Sequence, residues 1–101
     1  MMQAIQIKHR DMPINEVMQL TAMRFAVTIE ALKERGFTVA GIEFSEHSIP
    51  TVQVQVCPEC AKLIASGEAV YYCFSGNDGT PYRKGQFRVG DMRVIWVERG
   101  H

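Results

Sequence analysis

Cys57-Pro58-Glu59-Cys60 is the stretch of this chain whose residue types and spacing carry recognisable chemistry. A Cys-x₂-Cys pair is half of a tetrahedral zinc site, and two further ligands must come from elsewhere. Cys73 is one candidate and His9, His47 or His101 another. A compact second pair, Cys-x₂-Cys or His-x₃₋₅-His, does not occur in the sequence, which weighs against zinc. No cofactor is therefore expected, with zinc on Cys57, Cys60 and Cys73 as the alternative.

A redox role is the second reading of the same pair. Helix N-termini favour thiolates in general, and strand, Cys-Pro-x-Cys, helix is the local arrangement of thioredoxin-like proteins. The remainder of the chain does not follow that pattern: the helix after the cysteines is short and the chain ends in strands. Glu59 would also oppose a nearby anion. The third reading is structural, because cysteine packs as a small hydrophobe. Cys73, between Tyr72 and Phe74, suits that role.

No other constellation points to catalysis. His9, His47 and His101 fall in a loop, at a hairpin tip and at the terminus, with no catalytic partner near in sequence. Glu43 and Glu46 flank a hairpin and read as solvated strand-end charges. The glycines are scattered at turns and form no phosphate-binding loop. A non-enzymatic protein is expected.

Composition bounds the remaining classes. With 101 residues the chain reads as a single domain, 1–101. The 47% hydrophobic content and the balance of 11 Lys+Arg against 11 Asp+Glu argue against disorder and against a polybasic nucleic-acid binder. No apolar run approaches the ~18–20 residues that span a bilayer, and the N-terminus has no apolar signal core. Three cysteines are too few and odd in number for a disulfide scaffold. A soluble, cytoplasmic protein is expected.

The neutral total hides an asymmetry. Residues 30–81 hold three Lys/Arg and seven Asp/Glu, or −4, whereas residues 82–101 hold five against two, or +3. Arg83, Lys84, Arg88 and Arg93 alternate with Tyr82, Phe87 and Trp96. Cations among aromatics on a sheet can hold single-stranded nucleic acid by stacking and phosphate contact. The same alternation also describes an ordinary strand with aromatics inward and cations outward, so nucleic acid is not the expected partner.

These residues must be positioned by an α+β fold. Gln3 to Ile7 alternates as a short strand, and Asp11 or Asn15 can cap a helix with Pro13 in its first turn. The helix runs from about Asn15 to Arg35 and stops at Gly36, with Lys33 and Arg35 in the last turn. Thr38–Ser45 and Ile49–Val56 alternate and form an antiparallel hairpin. Cys57 caps a short helix to Ser66, with Pro58 first and Gly67 just beyond. Strands follow at Glu68–Ser75, Tyr82–Val89 and Met92–Glu98, with turns at Gly76–Gly79 and Gly90-Asp91. The expected fold is an antiparallel sheet of five to six strands, one long helix on one face and a short second helix.

The long helix has more apolar residues than one face needs. Ile14, Met18, Ala22, Phe25, Ile29 and Leu32 form a stripe expected to face the sheet. Leu20, Met23, Val27 and Ala31 form a second stripe almost opposite. Either the short helix or the N-terminal turn covers it, or it is a contact surface for a second copy or another protein. Two such helices could pack antiparallel, so a homodimer is expected.

Three stretches carry a family resemblance: Gly67-Glu-Ala-Val-Tyr-Tyr72, Tyr82-Arg-Lys-Gly-Gln-Phe87 and Arg93-Val-Ile-Trp-Val-Glu98 before His101. Arg35-Gly-Phe-Thr-Val39 and Gly41-Ile-Glu43 add to it. From about Ala31 onward the chain resembles small accessory proteins of temperate phages and prophages of proteobacteria. The resemblance implies a genomic context and a protein that works by binding, with inhibition of a host defence protein as one form of it. It assigns no functional residue.

Overall fold

Two glycines stop the helices where the sequence predicts, and the backbone shows how. The computed structural model describes residues 13–45, 47–75 and 81–100. Helix α1 spans Ile14–Glu34. Gly36, at φ 93°, takes the left-handed position beyond it, its N–H donating to Lys33 O while Phe37 N–H donates to Leu32 O. This pair of bonds satisfies the last carbonyls, and Phe37 and Leu32 both enter the core. Helix α2 spans Pro58–Ser66, with Cys57 as its N-cap and Gly67 at φ 85° behind it. The start of α1 differs from expectation: Pro13 itself is the N-cap and Asn15 lies inside the helix. The Pro13 carbonyl accepts from Glu16 and Val17 N–H, and no side chain caps the helix among the described residues. The expected strand at Gln3–Ile7, the Asp11 cap, the Gly76–Gly79 turn, Glu46, His9 and His101 lie outside the described residues.

Five strands make one sheet: β1 Val39–Glu43, β2 Thr51–Val54, β3 Val70–Ser75, β4 Tyr82–Val89 and β5 Met92–Arg99. Their order is β1-β2-β5-β4-β3. β1 pairs antiparallel with β2 as expected, and β3, β4 and β5 form an antiparallel meander. The sheet is nonetheless mixed, because β2 and β5 pair in parallel. The reason is α2. It carries the chain back after β2, so β3 starts at the same end of the sheet, and two hairpins then return β5 in the direction of β2.

One face of this sheet carries the core. Val52, Val54, Phe87, Met92, Val94 and Trp96 pack with Phe25 and Leu32 of α1, Phe37 behind it, and Cys60 and Leu63 of α2. Both helices therefore lie on the same side. α1 is rotated from the expected orientation. Thr21, Phe25, Thr28 and Leu32 are its buried residues, while Ile14 and Ala22 are exposed. Two threonines sit in the interface because α1 packs on Phe25 and Leu32, the large apolar residues it buries. Thr21 lies four residues before Phe25, and Thr28 lies three after Phe25 and four before Leu32, so all four share one side of the helix.

Candidate functional site

The rotation of α1 leaves its second apolar stripe on the surface. Val27 is 71% exposed, Met23 64% and Leu20 46%, and Ala31 is half-buried. Among the described residues neither α2 nor any other segment covers them. The stripe borders a groove of about 530 Å³ between α1 and the turn joining β4 to β5, whose far wall is Val89, Gly90 and Asp91. Arg24 and Asp91 close one side of it with an ion pair. The hydrogen bond from Arg24 holds the Asp91 carboxyl below the usual carboxylate range. Arg24 and Asp91 were not legible as partners, being separated in sequence with no shared pattern.

The thiols occupy a second place. Cys57, half-buried at the α2 N-cap, and Cys60, 1% exposed in its first turn, bring their sulfurs to 4.0 Å. Cys73 does not join them. It is register partner to Lys84, one residue from the Gly85 that faces the core, so the sheet separates it from Cys60. Among the described residues no group of three His, Cys, Asp or Glu side chains could hold a metal. Glu59 is engaged by Lys62 at 3.1 Å.

Behind Cys60 lies a carboxylate that the sequence did not single out. Glu98, with its side chain 17% exposed, pairs with Arg83 Nε at 2.9 Å. It also accepts from Trp96 Nε1 at 2.8 Å and from the Tyr71 hydroxyl at 2.9 Å. Burial pushes its pKa up, but these three donors and the Arg83 charge outweigh burial and hold it below the ordinary value. Burial, reinforced by Glu98, pushes the Tyr71 hydroxyl up. The Cys60 thiol is pushed up to about 11, first by burial, with the charges of Cys57 and Glu98 adding to it.

A family model described as "Uncharacterised protein" matches residues 6–99. The chain belongs to that family. No curated protein and no solved structure matches it. The matched span takes in both the α1 groove and the Cys57/Cys60 pair.

The four cations expected to form one patch are divided by the pleat of this family member. Arg83 turns to the core side, bound to Glu98 and lying over the Tyr71 ring at 4.0 Å. Lys84, Arg88 and Arg93 share the opposite face. There Arg93 lies over Tyr72 at 5.2 Å, and Lys84 and Arg99 approach Tyr82 at 6.0 and 5.6 Å. Phe87 and Trp96, expected among the stacking aromatics, are buried on the core side. No helix among the described residues is long and apolar enough to cross a membrane.

Proposed function

We propose that this chain is a small non-enzymatic protein that works by binding another protein through the back of α1, and that a second copy is the occupant. The observation that supports it is the row Leu20, Met23 and Val27, exposed on a helix that also walls an apolar groove. Leaving three large apolar side chains in water forgoes burial worth roughly 1.5–3 kcal/mol each. A contiguous apolar row of this kind marks an interaction surface. In a two-fold arrangement the row of each copy would lie against the same row of the other, with Arg24 and Asp91 at the rim. The sequence resemblance supports a phage or prophage setting, in which a host defence protein is the other candidate occupant. The test is light scattering over a concentration series, with mass rising from 11.4 kDa toward twice that value. A mass fixed at 11.4 kDa at high concentration would exclude the second copy.

One observation favours a second reading, single-stranded nucleic acid on the outer sheet face. Arg88 and Arg93 are directly opposite one another, and Arg93 Nε is buried with no hydrogen-bond partner among the described residues. A bridging phosphate would relieve both conditions. Against it, the tyrosine rings on that face already carry cations, which stacking bases would have to displace. Binding of an oligonucleotide that weakens steeply with salt would support this reading.

A further inference from the structure

We propose that Cys57 and Cys60 form a thiol–disulfide exchange site: Cys57 reacts with a small-molecule disulfide, and Cys60 resolves the adduct into an internal Cys57–Cys60 disulfide. None of the residues lining the α1 groove belongs to this pair, so the proposal stands apart from the binding function.

Three features of the pair carry it. The sulfurs are 4.0 Å apart, about 2 Å beyond the ~2.05 Å of a disulfide bond. The backbone is already arranged for that closure: Cys57 is extended at φ −154°, Pro58 opens the helix, and Cys60 N–H donates to Cys57 O at 2.9 Å. The two sulfurs are also unequal. Cys57 is partly open to solvent, whereas Cys60 is enclosed in the core cluster beside Leu63 and Trp96. An outside reagent reaches Cys57 first, and Cys60 is placed to attack only what Cys57 carries.

The environment supports that order. Burial keeps the Cys60 thiol protonated in the resting state, and the Cys57 charge contributes to that effect. A mixed disulfide on Cys57 removes that lesser contribution and leaves burial as the main one. Glu59, between the two cysteines, is held by Lys62, which offsets the charge that would otherwise oppose an anion there.

The steps balance with a low-molecular-weight disulfide such as oxidised glutathione as oxidant. Cys57 gives its proton to solvent, and its sulfur attacks one sulfur of the disulfide, releasing one thiolate. Cys60 then gives its proton to solvent and its sulfur attacks the Cys57 sulfur, a Cys57–Cys60 bond forms, the mixed disulfide breaks and the second thiolate leaves. The leaving thiolates take up the two protons, so two protein thiols are oxidised and one small disulfide is reduced to two thiols.

The test equilibrates the full chain with mixtures of reduced and oxidised glutathione, followed by acid quench, alkylation and peptide mass analysis. The expected result is loss of two hydrogens confined to the peptide that holds Cys57 and Cys60, reversed by excess reduced glutathione, with Cys73 still alkylated. Cys60→Ser should stop at a glutathionyl adduct on Cys57, and Cys57→Ser should form neither product. Cys60→Ala serves in its place should Cys60→Ser fail to fold. A pair that stays reduced throughout, an adduct that settles on Cys73 instead, or equal reaction of Cys57→Ser would overturn the proposal.

Discussion

The indole of Trp96 lies over the backbone of Gly85, its cross-strand partner in the β4–β5 hairpin. A Cβ at position 85 would overlap the ring atoms. Gly85 has no left-handed backbone to require it, so the glycine is there to make room. That room lets a fully buried tryptophan lie on the sheet with its Nε1 aimed at Glu98, 2.8 Å away.

Gly85→Ala should therefore destabilise the fold by about 1–3 kcal/mol, the usual range for overpacking a filled core. In urea unfolding the midpoint should fall at unchanged slope. A midpoint equal to that of the parent chain would show that the ring has free space to move.

Acid should weaken the fold through Glu98. Its folded pKa lies below the ordinary carboxylate value of 4.5. Its contribution is thus fully present above that value and is lost as pH falls through the lower, folded one. Glu98→Gln should cost about 1–3 kcal/mol near neutral pH, because it removes a charged acceptor from three donors. The variant should also lose part of the acid slope. Asp91 titrates in the same direction, so the difference between parent and variant is the quantity to measure.

Opposite substitutions on α1 report its rotation. Ala22→Glu should leave stability within about 0.5 kcal/mol, as expected for an exposed helix position. Thr28→Glu should be severely destabilising, since it places an unpaired carboxylate in the sheet interface. Thermal unfolding of the two variants decides it, and the reverse ranking would restore the stripe read from helical periodicity alone.

Val27→Glu and Met23→Glu should abolish self-association while leaving the monomer fold within about 0.5 kcal/mol of the parent. Sedimentation velocity together with thermal unfolding separates the two effects. A variant that still associates would move the interface off α1.

Much of this fold was readable because its signals are local. The α1 stop at Gly36 and the β4–β5 turn at Gly90 depend on conformations that glycine alone adopts easily. The strands at Tyr82–Val89 and Met92–Arg99 follow a period of two. The surplus of Leu20, Met23 and Val27 on the back of α1 was visible as a second stripe at helical spacing. The neighbours of these residues were not visible. Thr21 and Thr28 belong to neither apolar stripe, and the packing of Phe25 and Leu32 drew them inward.

Sequence by itself thus determined the described elements to within a few residues, the thiol pair at a helix N-cap and the apolar excess on one helix. Each follows from periodicity or backbone preference within a few residues. Tertiary structure alone decided the parallel β2–β5 pairing, the separation of Cys73 from Cys60 and the division of Arg83 from Lys84, Arg88 and Arg93. It also decided the meeting of Arg24 with Asp91 and the convergence of Trp96, Tyr71 and Arg83 on Glu98. These depend on which side of a shared sheet each residue faces once strands distant in the chain are paired. The pleat carries that information only after the register is set.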